Sequence, residues 1–258
     1  MLRNVLLDQR NPGEELPTVL FIPGSIFPAA DSYGQLLSIL RNDIEFIMKD
    51  FEFYQADTPP TSWGLGTEVE AFRRFADSMG FDTFHVVGYS FGGSLALAFA
   101  SRYMDQLRSI TLIEPDWIGN LGMSPEELEY REELRALFRT PPERFLDAFM
   151  RLKVRSGVSI PRLDITYALE KRAVGVRAFL RSFETAELLY GKLANFSGQV
   201  YVVVGNLSHP VEMVKARRLN SVFANCSISI YEGCHHWAPP QMSQPGNFAT
   251  AMRKLWFS

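Results

Sequence analysis

The chain has 258 residues, 47% hydrophobic and 21% charged, with a formal net charge of −3. These proportions describe an ordinary globular protein, and the lack of a long run of like charges argues against a nucleic-acid or polyanion partner. Cys226 and Cys234 are its two cysteines, too few for a disulfide framework and wrongly spaced for zinc.

At the N-terminus, Met1-Leu2-Arg3-Asn4 leads into a short apolar stretch broken by Asp8 and Arg10. It lacks the apolar core and small-residue cleavage site of a signal peptide, and no apolar run reaches the ~18 residues that span a bilayer. The expectation is a cytoplasmic protein without a membrane span. A first strand is expected on a sheet edge near Val5 to Leu7. Val19 to Ile22 runs into Pro23-Gly24, and Ile44 to Met48 ends at Lys49-Asp50. Further short apolar runs follow at Phe84 to Val87, Ile110 to Ile113, Gln199 to Val204 and Cys226 to Tyr231, each stopped by turn residues. Runs of this length and composition predict strands buried on both faces.

Helical patterns separate the strands. Tyr33 to Leu40 is one. Glu68 to Met79 places Val69, Phe72, Phe75, Ala76 and Met79 on one stripe, as a 3.6-residue period requires. Phe91 to Tyr103, Glu212 to Val222 and Phe248 to Phe257 complete the set. Alternation of strand and helix predicts an α/β fold, a mostly parallel central sheet with helices on both faces. From Trp117 to Gly191 the alternation stops. Ser124-Pro125-Glu126-Glu127 and Thr140-Pro141-Pro142-Glu143 read as helix starts, with a capping hydroxyl, an early proline and a glutamate. The expected organisation is a core of residues 1–116 and 192–258, with 117–191 inserted as a helical cap over the C-terminal sheet edge, where open α/β sheets bind ligands.

The sharpest chemical signal is His85-Val86-Val87-Gly88-Tyr89-Ser90-Phe91-Gly92-Gly93. It holds G-x-S-x-G directly after a strand and before an Ala-rich helix, the context of a nucleophile elbow. A serine on so tight a turn has strained backbone angles, and bulky side chains two residues to either side would collide. The turn lifts the hydroxyl above the sheet, and the following helix points its partly positive N-terminus at the reacting centre. No binuclear metal pattern appears, and Gly88 to Gly93 lacks the G-x-G-x-x-G nucleotide pattern, so neither metal nor cofactor is expected.

With this elbow and this order of elements, the chain resembles the α/β-hydrolase superfamily along nearly all its length. The resemblance implies an oxyanion hole of backbone amides from Ser25, after Ile22-Pro23-Gly24, and Phe91, after the serine. It implies a histidine after the last strand, within Gly233-Cys234-His235-His236-Trp237. His236, followed by an aromatic residue as in relatives, takes that slot, with His235 the alternative. His85 and His209 read as structural. The acid departs from the commonest pattern. Gly205-Asn206-Leu207-Ser208 puts Ser208 where relatives carry aspartate. Some members carry the acid after the preceding core strand instead, which here ends Leu112-Ile113-Glu114-Pro115-Asp116. Glu114 is therefore the candidate acid, with Asp116 second.

Phe138, Phe145, Phe149, Met150, Tyr167, Phe179, Phe183 and Tyr190 suggest an apolar cavity under the cap with few charged groups. Tyr89, Ile26, Trp117 and Trp237 are the candidate lining residues. The function implied is hydrolysis of an ester or thioester with an apolar acyl or alkyl group through an acyl-enzyme at Ser90. A serine, rather than an aspartate, argues against the alkyl-enzyme branches of the superfamily. A biosynthetic thioesterase or cyclase, a C–C hydrolase, and a non-catalytic ligand-binding protein are the alternatives. The expected partner is a small apolar substrate, with a homodimer compatible with the sequence.

Overall fold

The computed structural model describes residues 2–4, 16–54, 63–162 and 169–257. In chain order these form β1 (Leu2–Asn4), β2 (Thr18–Ile22), α1 (Ala29–Leu40), β3 (Glu45–Met48), α2 (Leu65–Ser78), β4 (Phe84–Tyr89), α3 (Phe91–Tyr103) and β5 (Leu107–Ile113). Among the described residues, four helices follow without an intervening strand: α4 (Pro125–Ala136), α5 (Pro142–Leu152), α6 (Leu169–Thr185) and α7 (Tyr190–Leu193). The chain then returns to β6 (Gln199–Gly205), α8 (Val211–Val222), β7 (Cys226–Tyr231), α9 (Pro240–Ser243) and α10 (Pro245–Trp256).

The strands make one seven-stranded sheet in the order β1-β3-β2-β4-β5-β6-β7. Only β1 runs antiparallel, against β3; the remaining pairs are parallel. The expected α/β architecture with a mostly parallel sheet and an inserted helical segment is the one observed. The edge strand lies at Leu2–Asn4; Val5 and Leu7, expected in it, and Tyr167 fall outside the described residues.

Two cores sandwich the sheet. Leu20, Val86, Ile110, Leu112 and Val202 pack on one face with α2, α3 and the inserted helices. Val19, Phe21, Val87, Ile113 and Val203 pack on the other with α1 and α10. Successive strand residues alternate between these faces, so continuous apolar runs were needed to cover both. β7 departs from that reading. It is an edge strand with Ile230 54% exposed, because among the described residues no strand lies beyond it in the sheet.

The inserted helices start where their caps direct. Ser124 and Glu127 form a reciprocal capping box at α4. At α5 the helix opens on Pro142 with Pro141 as cap and no capping side chain, so Thr140 does not play the role its spacing suggested. Past α5, an isolated antiparallel bridge joins Val154 to Ser208, with His209 N–H donating to the Lys153 carbonyl at 3.0 Å and Arg155 N–H to that of Leu207 at 3.0 Å. The insertion is thereby sewn to the loop after β6. No helix among the described residues is long and apolar enough to cross a membrane.

Candidate active site

Ser90 stands between β4 and α3 with φ 56° and ψ −121°, a left-handed strain that persists only where the surroundings enforce it. The enforcing contacts are visible at its glycines. A Cβ on Gly88 would lie 2.7 Å from the Gly92 carbonyl carbon, and one on Gly92 would lie 2.8 Å from that of Ile22. Only hydrogen fits at either position. A Cβ on Gly24 would stand 3.2 Å from Ser90 Cβ, so the turn carrying Ser25 lies directly beside the hydroxyl. Phe91 is the first residue of α3, where backbone N–H groups lack intrahelical acceptors.

Ser90 Oγ is 3.0 Å from His236 Nε2. His236 Nδ1 is 2.7 Å from Glu114 Oε2. A carboxylate only accepts, so Nδ1 carries the imidazole proton and the bare Nε2 faces the serine. The other carboxylate oxygen, Glu114 Oε1, accepts from Gly205 N–H at 2.7 Å and from Ser208 Oγ at 2.5 Å. Ser208 therefore takes up the acid rather than replacing it: the carboxylate comes from the neighbouring strand end, and the residue at the more usual position donates to it. Glu114 itself has a positive φ of 45°. His235, by contrast, is partly exposed and accepts from Trp237 N–H at 3.2 Å; it does not face Ser90.

Asp116 is also at the centre, but on the serine rather than on the imidazole. Its Oδ2 lies 2.7 Å from Ser90 Oγ, and its Oδ1 is paired with Lys153. Lys153, 0% exposed, is 3.6 Å from Glu212, whose second oxygen pairs with Lys215 at 2.7 Å. These three residues were not among the candidates visible in the sequence. The only signal was a lysine between apolar neighbours in Leu152-Lys153-Val154, and a Glu212–Lys215 spacing that any exposed helix could show.

Burial governs the electrostatics. It lowers the His236 pKa from 6.5 to about 3, with Lys153 adding to the shift, and it raises Glu114 against the hydrogen bonds from Ser208 and Gly205. Burial also pushes Asp116 upward, but Lys153, His236 and Lys215 outweigh it and the net shift is downward. His85 is lowered to about 4 by burial and bonds Ser109. His209 accepts from Val211 N–H at the start of α8.

The candidate lining residues divide by sheet face. Tyr89 belongs to the core behind the site, where its hydroxyl donates to the His236 carbonyl; it buttresses the imidazole rather than lining a cavity. Ile26, Trp117 and Trp237 are buried on the insertion side. Phe91 stacks with Phe149, Phe179 and Phe183, and Trp117 with Phe183, so these aromatics seat the inserted helices on the elbow. A cavity of about 60 Å³ between insertion and core is lined by Trp117, Tyr130, Phe138 and Phe183, but also by Asp116 and Lys215. The expectation of few charged groups fails here, because the insertion is pinned by Arg218–Glu127 and Arg131–Glu184 ion pairs at the same place.

A hydroxyl on a strained turn, a bare imidazole nitrogen and a carboxylate behind it, under a helical insertion, define a class of α/β protein able to deprotonate an alcohol as it attacks an electrophilic carbon. Residues 19–251 match the alpha/beta hydrolase family, and the chain belongs to it. It is 26% identical over 249 residues to a 2-hydroxy-6-oxononadienedioate/2-hydroxy-6-oxononatrienedioate hydrolase of Klebsiella pneumoniae, covering 88% of this chain and 83% of that protein. It is 23% identical over 177 residues to a 2-hydroxy-6-oxo-6-phenylhexa-2,4-dienoate hydrolase of Comamonas testosteroni; this match covers 66% of the chain and 62% of the relative, less than two thirds of its length. Among solved structures it is similar to a thermophilic esterase from Thermogutta terrifontis, with TM-score 0.68 and 18% identity over 98% of this chain and 97% of that one. At that identity the likeness shows the fold alone.

Proposed function

We propose that the protein is a serine hydrolase that cleaves a carboxylic ester or thioester through an acyl-enzyme at Ser90. The observation that carries this reading is the continuous line from Ser90 Oγ to His236 Nε2 at 3.0 Å and from His236 Nδ1 to Glu114 Oε2 at 2.7 Å. Ser90 Oγ adds to the carbonyl carbon while its proton passes to Nε2 and the carbonyl electron pair moves to oxygen. The amides of Ser25 and Phe91 are assigned to that oxyanion, at about 3 kcal/mol each. The leaving group departs with the proton from His236. Water, losing a proton to the same nitrogen, then adds to the acyl carbon and releases the acid and free Ser90. Glu114 holds the imidazole tautomer and stabilises its cation. Residues 117–191 serve as the cap that keeps bulk water from this step.

A fluorophosphonate probe tests the reading. We expect stoichiometric labelling at Ser90, abolished in Ser90→Ala and His236→Ala. No labelling of folded wild-type protein would point instead to a ligand-binding member of the fold. The similarity to dienoate hydrolases supports C–C bond cleavage as a second reading. A screen of p-nitrophenyl esters of rising chain length, acyl-CoA thioesters and a vinylogous 1,5-diketone separates the two.

A further inference from the structure

A serine–histidine–carboxylate line does not call for Asp116, yet Asp116 Oδ2 is 2.7 Å from Ser90 Oγ, nearer than the imidazole at 3.0 Å. The carboxylate cannot turn away. Lys153 holds its other oxygen, Glu212 lies beside Lys153 and pairs with Lys215, and Lys215 donates to the Pro115 carbonyl at 2.5 Å. All four side chains are buried. Two carboxylates and two ammonium groups thus form a neutral, closed cluster with one acceptor oxygen aimed at the reacting atom.

In the resting site the Ser90 hydroxyl donates to that oxygen and must turn to His236 Nε2, 3.0 Å away, before its proton can be taken. When Ser90 attacks, its O–H bond breaks, the proton goes to His236, and Oγ becomes an ester oxygen with nothing to donate. Asp116 Oδ2 would then face lone pairs. A buried acceptor deprived of its donor costs more than the hydrogen bond was worth, and more again when it is charged. The nearby indole N–H groups are committed elsewhere: that of Trp117 to Asn120 and that of Trp237 to the Met150 carbonyl.

Resting on the serine-hydrolase reading above, we infer that the site selects acyl groups carrying a hydrogen-bond donor, a hydroxyl or amine, on the carbon next to the scissile carbonyl, with Asp116 as the residue that determines this specificity. That carbon is attached to the atom that bonds Oγ. Its substituent is the first donor on the acyl side able to reach an acceptor so close to Oγ. On the leaving-group side the protonated His236 Nε2 already supplies a donor. Lys153 and the Glu212–Lys215 pair are positioning residues that keep the carboxylate charged and aimed.

The test compares p-nitrophenyl 2-hydroxyhexanoate with p-nitrophenyl hexanoate, each kcat/KM divided by the ester's alkaline hydrolysis rate to remove intrinsic reactivity. The wild-type protein is expected to favour the hydroxy ester by at least about 30-fold, well short of the limit for a site built around a hydroxyl. In Asp116→Ala, and in Asp116→Ala/Lys153→Met where no buried charge is orphaned, the preference should fall to within about threefold of unity. The ratio is internal to each preparation, so a partly folded variant still reports it. Equal corrected turnover by wild type, or full preference retained in a variant, overturns the inference. Failure of fluorophosphonate labelling would instead remove the hydrolase reading, so the two failures are distinguishable.

Discussion

At Ser90 one proton faces two acceptors, and the side chains behind those acceptors decide their roles. His236 is backed by Glu114, which accepts its Nδ1 proton at 2.7 Å; Asp116 is backed by Lys153. On the acyl-enzyme route proposed above, only the first arrangement produces a base whose cation is stabilised once the proton arrives. Replacing Glu114 with Gln keeps the shape but offers the imidazole an amide that can stabilise the wrong tautomer. We expect kcat to fall by about 10³–10⁴, the scale seen for the corresponding change in a serine protease, measured as steady-state turnover of the best ester found. Full activity in Glu114→Gln would remove Glu114 from the mechanism. Glu114 bonds His236 from a backbone position of positive φ, which no composition rule foretells, while Asp116 bonds Ser90.

Among the elements, glycine has opposite consequences in two helices. Gly92, in the first turn of α3, lies against the Ile22 and Pro23 carbonyls, and a Cβ there would stand 2.8 Å from the Ile22 carbonyl carbon. Gly34, exposed in the middle of α1, has nothing within 4 Å of that position. Alanine at 92 must push β2 and its Pro23-Gly24 turn away from the elbow, and should cost about 1–3 kcal/mol or more along with labelling at Ser90. Alanine at 34 meets no neighbour and removes a helix-interior glycine, and should stabilise by about 0.5–1 kcal/mol. Denaturant unfolding of both variants checks the pair; equal effects would refute the packing argument. The strand and helix patterns themselves were legible because burial on both sheet faces leaves long apolar runs. β7 is less buried than its apolar run suggests, since an edge strand can share that composition without sharing the burial.

Over the whole molecule, all four histidines titrate below the usual imidazole range, each chiefly because burial disfavours the cation. His85 ties three elements together, bonding Ser109 of β5 at 2.8 Å and packing on Trp256 of α10. Its folded pKa of about 4 lies below the unfolded 6.5. Within that window the unfolded chain binds a proton that the folded one refuses, so the contribution to stability is present above pH 6.5 and is lost as pH falls toward 4. Burial raises Glu68 and Glu114, which act in the opposite sense, so a difference measurement isolates the histidine. We expect the fall in Tm from pH 7 to about pH 5 to be smaller in His85→Gln than in wild type. An identical fall would show that His85 titrates alike in both states.

The order of strands and helices, the elbow, its glycines and the helical insertion were determined by sequence alone, because each rests on local rules: apolar periodicity, turn sterics and capping. Which groups hold Glu114 in place, and what Asp116 and Lys153 pair with, were decided only by tertiary structure. Glu114 meets Ser208 and His236 across 94 and 122 residues, and Lys153 is carried to Asp116 by an insertion bridged to the loop after β6. Ionic pairing inside a fold depends on distance in space and on lost water, and neither is encoded in neighbouring letters.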